Sequence, residues 1–149
     1  MLSIDNEVCS LKAAKKLQTL GFTKKSLFYW INPLGKWNVT VINSELDKIY
    51  LEHCVEDTIF PMDKYPAYTI FELSTILPTM LNPVSGSGSP ASLHILKLND
   101  QWMVCYITQY SQPPRITIIK KTLVDAMAYM VIELAVKGFI DSKTLQENI

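Results

Sequence analysis

The run Thr122–Lys137, TLVDAMAYMVIELAVK, decides how the rest of this chain is read. At 3.6 residues per turn, Leu123, Met127, Met130 and Leu134 form a stripe of large side chains, and Val124, Ala128, Val131 and Ala135 form a stripe of small ones beside it. Only a narrow edge is polar, carrying Asp125, Tyr129, Glu133 and Lys137, the last two spaced for an i,i+4 pair. Thr122 followed three residues later by Asp125 is a weaker form of the capping box, and Gly138 can take the left-handed conformation that closes a helix. A helix this apolar needs cover on more than one side. The large stripe suits a sheet. The small stripe lets another backbone approach closely, so a second helix is expected on it, either Cys9–Leu20 through Ala13 or the same helix of a partner subunit. Val124, Ala128, Val131 and Ala135 are therefore the candidate helix-packing or dimer interface. The longest apolar run, Ala126–Ile132, falls far short of the roughly 20 residues a membrane span needs, so no membrane association is expected.

Working outward, Cys9, Ala13, Leu17 and Leu20 share one side of an amphipathic helix, with Lys12, Lys15, Lys16 and Thr19 on the other. Asp5 is the expected N-cap and Gly21 the stop. Ser26–Ile31 and Trp37–Val41 flank the turn residues Asn32-Pro33-Leu34-Gly35 and read as a hairpin, with Lys48–Glu52 as a third strand. Asp57–Tyr68, with Pro61 and Pro66, reads as a connecting loop. Thr69-Ile70-Phe71-Glu72 is a capping box that opens a helix with Ile70, Leu73, Ile76 and Leu77 inward, and Pro78 ends it. Residues 84–90, VSGSGSP, have the composition of a flexible internal loop. Leu93–Leu98 and Gln101–Thr108 flank Asn99-Asp100 as a hairpin with a two-residue turn. The second of these strands is apolar on both faces, as expected of a central strand covered on both sides. Arg115–Ile119 adds a short strand. The expected fold is α+β, an antiparallel sheet of two hairpins plus short strands packed with three main helices, in the order α-β-β-(β)-α-β-β-(β)-α.

A chain of 149 residues suits a single domain over 1–149. Fourteen basic and 14 acidic residues cancel, which leaves no long-range field to gather phosphate backbones and argues against nucleic acid as a partner. Three cysteines without ligand-like spacing fit reduced thiols in the cytoplasm, and residues 1–16 lack the basic-then-apolar order of a secretory signal.

Three stretches carry a likeness to known proteins: Leu11-Lys12-Ala13-Ala14-Lys15-Lys16-Leu17 with Leu20-Gly21-Phe22; Pro66-Ala67-Tyr68-Thr69 with Glu72-Leu73 and Leu77-Pro78; and Leu123-Val124-Asp125-Ala126-Met127. Together they resemble a group of small uncharacterised proteins of bacterial phages, prophages and related mobile elements. The resemblance implies a mobile-element origin and carries no activity, cofactor or catalytic residue.

Chemistry-bearing residues are sparse. Glu52-His53-Cys54 with Glu56 and Asp57 holds metal-binding side chains, but neighbours on a strand point to opposite faces. A small metal-dependent enzyme would need His53 and His94 to converge with a carboxylate. Cys9 and Cys105 lie in apolar contexts, where a thiol acts as a small hydrophobe. No Gly-x-Gly-x-x-Gly, P-loop or Gly-x-Ser-x-Gly occurs. The lysine pairs Lys15-Lys16, Lys24-Lys25 and Lys120-Lys121, with Tyr29, Trp30 and Trp37, sketch a single-strand-binding surface, although lysines ordinarily solvate a helix face. The balance leans away from an enzyme and from any cofactor. It favours an accessory protein that acts through a protein partner or self-association.

Overall fold

The structure, a computed structural model, describes residues 4–32, 34–41, 63–82, 89–108 and 114–141. A single turn of 3-10 helix at Ile4–Asn6 precedes α1 (Leu11–Thr19), and the hairpin β1 (Phe28–Ile31) and β2 (Asn38–Val41) follows. After β3 (Lys64–Pro66) come α2 (Ile70–Ile76), β4 (Met80–Leu81), β5 (Ala91–Leu98), β6 (Gln101–Ile107), β7 (Ile116–Lys120) and α3 (Leu123–Val136). The class is α+β, as expected. The two hairpins lie in different antiparallel sheets, one ordered β2-β1-β3 and the other β4-β5-β6-β7. The expected strand at Lys48–Glu52 lies outside the described residues, as does most of the expected loop at 84–90.

Local chemistry accounts for most of these boundaries. Asn99 takes a positive φ in the β5–β6 turn, which sets Leu98 opposite Gln101 and fixes the register of the hairpin. The Thr69 capping box forms in full: the Thr69 hydroxyl accepts from the Glu72 amide, and Glu72 Oε2 accepts from the Thr69 amide at 2.8 Å. The same carboxylate oxygen accepts from Ser26 Oγ at 3.1 Å, so the cap also ties α2 to the segment before β1. Helices α1 and α3 end alike. Gly21 and Phe22 donate to the carbonyls of Gln18 and Leu17, and Gly138 and Phe139 donate to those of Ala135 and Leu134. These are paired Schellman closures, each placing a phenylalanine beside the last buried leucine of its helix.

Three expectations are corrected. Helix α1 starts after Ser10, whose hydroxyl accepts from the Ala13 amide, and Asp5 is not its cap. Residues 8–10 cannot join the helix because they are bonded elsewhere: Val8 bridges Thr69, the Cys9 amide donates to the Tyr68 carbonyl, and the Ser10 amide donates to Asp125. The stretch read as a loop contains β3, whose Pro66 is tolerated because β3 is an edge strand. Ile70 is 39% exposed and stays off the core face of α2, where Leu73, Ile76 and Leu77 are buried.

Helix α3 packs on β6, β7, α1 and α2. Met127, Met130 and Leu134 are buried with Val104 and Tyr106 of β6 in one cluster that also takes in Leu17 of α1 and Leu73 of α2. Tyr106 donates its hydroxyl proton to the Pro78 carbonyl at 2.6 Å, and Tyr68 Oη lies within bonding distance of the carbonyls of Phe22 and Lys24. Strand β6 is central but less covered than expected. On its outer face Cys105 is buried, yet Met103 is half-buried between Leu96 and Ile119, each more than 40% exposed.

The N-termini of α1 and α3 are joined by one bond, the Ser10 amide to Asp125 Oδ1 at 2.7 Å. A hydrogen bond to an ionised acceptor is worth about 1.5–3 kcal/mol. Asp125→Ala should lower the unfolding free energy by that amount in urea titration, and Asp125→Asn, which keeps an acceptor, should recover part of it. Equal losses in the two variants would show that the bond contributes little.

Candidate binding groove between the first and last helices

The Ser10–Asp125 bond holds the two helix starts together and the chain runs the same way along both, so their C-terminal turns also meet. There an open groove of about 340 Å³ is lined by Lys15, Lys16, Thr19 and Leu20 of the α1 turn and by Ile132 and Val136 of α3. The floor is aliphatic, and Val136 is 66% exposed within it. A helix of 14 residues beside one of nine supplies this surface, because the last turn of α3 reaches the point where Leu20 caps α1.

The rim is cationic and backed by aromatic rings. Lys15 Nζ sits 4.9 Å from the centre of the Trp37 ring and 5.4 Å from that of Tyr65, the two rings themselves lying 5.6 Å apart. Lys16 Nζ and Lys120 Nζ lie 5.3 Å and 4.0 Å from the centre of the same Tyr129 ring. Each such contact is worth about 0.5–1 kcal/mol at an exposed site. Their larger consequence is positional, since a lysine resting on a ring has less rotamer freedom left to lose when it meets an anion. The acidic side chains bordering α3 are already engaged, Glu133 with Lys137 at 3.3 Å and Asp125 with the Ser10 amide. The carbonyls of Leu17 and Gln18 in α1 and of Leu134 and Ala135 in α3 are taken up by the Schellman bonds of Phe22, Gly21, Phe139 and Gly138.

The residues singled out in the sequence fall differently. Val124, Ala128 and Val131 are 1% exposed or less, and Ala135 is half-buried against the core. The chain's own elements cover this stripe, α1 and α2 both packing on α3, which leaves the first three no surface for a partner. His53 lies outside the described residues. His94, on β5, has Nε2 3.0 Å from Ser92 Oγ and stands opposite Cys105 of β6. Among the described residues no three His, Cys, Asp or Glu side chains gather to hold a metal ion. Burial pushes the Cys9 thiol up to about 12 and raises that of Cys105, so both remain protonated and unreactive near neutral pH.

Of the three lysine pairs, Lys15-Lys16 lines the groove, Lys120 joins Lys16 over the Tyr129 ring beside it, and Lys24-Lys25 follows the closure of α1. Tyr65, Tyr129, Leu20, Ile132 and Val136 were not anticipated as site residues. A signal for two of them did exist: Ile132 and Val136 are four residues apart, beside the polar edge of α3 rather than within either apolar stripe. No helix among the described residues is long and apolar enough to cross a membrane. No protein-family model, no curated protein and no solved structure matches this chain.

Proposed function

We propose that this protein is a non-enzymatic accessory protein of a phage or related mobile element, working in the cytoplasm by protein–protein contact made at the α1–α3 groove. The observation that carries the groove is the set of lysines held on aromatic rings above an aliphatic floor open to solvent. An apolar floor with a polar rim is the anatomy of a protein interface. The mobile-element origin rests on the likeness of the helix and cap motifs around Leu11–Phe22, Pro66–Pro78 and Leu123–Met127.

A photo-reactive amino acid placed at Thr19 inside the groove tests the contact in cells that carry the gene. It should cross-link a discrete protein, and the Lys15→Glu/Lys16→Glu pair should abolish that product while keeping the parent's circular dichroism, with the thermal midpoint lowered only by the few degrees that loss of the ring contacts costs. The same probe at exposed Ser74 on α2 should yield no such product. A product of equal yield from Ser74, or one that survives the double charge reversal, would remove the groove as the contact.

A further inference from the structure

The geometry points to an acidic amphipathic helix of another protein as the occupant of the α1–α3 groove. This rests on the groove being the contact site and adds what the partner must present there. Charge sets the first condition: Lys15 and Lys16 line the groove and Lys120 stands beside Lys16 over the same Tyr129 ring, while Glu133 and Asp125 are engaged within the chain, so the complementary surface is anionic. A second copy of this chain does not meet that condition. Two-fold pairing of the groove with itself would set one lysine rim against the other.

The floor excludes stacked bases. Leu20, Ile132 and Val136 are aliphatic, and the nearby rings of Trp37, Tyr65 and Tyr129 carry lysines of this chain on their faces, so a base could stack only by displacing them. The walls exclude an added strand. Both are α-helices, whose backbone bonds run along their own axes and whose last turns are closed by Schellman bonds, so neither offers the row of alternating donors and acceptors that an extended segment would need. A helix satisfies its own backbone and presents side chains one turn apart. Two aliphatic residues at i and i+4 would fill the floor, and aspartates or glutamates a further turn along would reach Lys16 and Lys120.

Fluorescence anisotropy with the full chain tests this using labelled peptides of roughly 16 residues built from Ala, Gln, Leu and Glu. One peptide carries Leu at i and i+4 with Glu one and two turns on, a second has the same composition scrambled, and a third has Lys for Glu. The amphipathic acidic peptide should bind, weaken as salt is raised, and lose affinity about tenfold or more with Lys16→Glu and, independently, with Val136→Asp. Both positions are exposed, and unchanged circular dichroism would show that both variants fold. Equal binding of the scrambled or lysine peptide overturns the acidic helix as occupant, as does tighter binding of an oligothymidylate that competes for the site. Absence of binding by the acidic peptide overturns it too. If a Thr19 cross-link persists and depends on Lys15 and Lys16, only the occupant is wrong; if the cross-link is also absent, the groove reading fails.

Discussion

Replacing Leu134 with alanine will lower the unfolding free energy by about 2–5 kcal/mol, seen as a lower urea midpoint at unchanged slope. Alanine is the better helix former, so no loss arises from propensity. The cost comes from the space vacated: Leu134 is fully buried in the cluster that joins Leu17, Leu73, Met130 and Val131, and it lies in the last turn of α3, where the Schellman closure pins the backbone. A pinned backbone cannot settle into the gap. Leu134→Met, which conserves volume, should cost less than about 1.5 kcal/mol. If the alanine and methionine variants unfold at the same midpoint, Leu134 does not sit where the core is drawn.

Stability will also collapse on the alkaline side. Cys9, Tyr68 and Tyr106 are buried, and desolvation of the charged form raises the pKa of all three, that of Cys9 from 9.0 to about 12. For Cys9 the charges of Asp125 and Glu72 act in the same direction and the backbone bond from Tyr68 against it, all less than burial. The folded chain therefore binds these protons more tightly than the unfolded one. Their contribution is fully present below about pH 9 and drains away as pH rises through the raised folded values. For Cys9 alone the full span corresponds to something on the order of 4 kcal/mol, a large fraction of a typical domain's stability. The urea midpoint should be level from pH 7 to about 8.5 and fall steeply above about 9.5, and Cys9→Ala should blunt the first part of that fall. Superimposable pH profiles for the variant and the parent would remove Cys9 from the account.

Features that depend on a few neighbouring residues are legible in the sequence by itself. The Thr69–Glu72 cap, the Asn99 turn and the closures at Gly21 and Gly138 all sit where their side chains place them, because each is decided within one turn of chain. The start of α1 is not legible in the same way. Asp5 is as good a cap as Ser10, and Ser10 wins only because Val8, Cys9 and its own amide are held by Thr69, Tyr68 and Asp125, up to 115 positions away. The division of the strands into two sheets is equally non-local, since either hairpin could have shared an edge with the other. The groove was hidden for that reason too: Lys15 meets Trp37 and Tyr65, and Lys16 meets Lys120 over Tyr129, across separations that no periodicity reports.

Helix α3 shows where the boundary lies. Its sequence alone determined that it is a helix, where it begins and ends, and that it needs cover on more than one side, since period and caps act within a few residues. Only the tertiary structure decided what supplies that cover. Any flat apolar surface can receive the large stripe and any close helix the small one, whether from this chain or from another. The choice fell to α1, α2 and the β6–β7 pair because the Ser10–Asp125 bond and the shared core bring those elements onto α3 within one chain. With both stripes so covered, the apolar surface left open on the last turn of α3 is Val136, beside buried Ile132 and the lysines of α1.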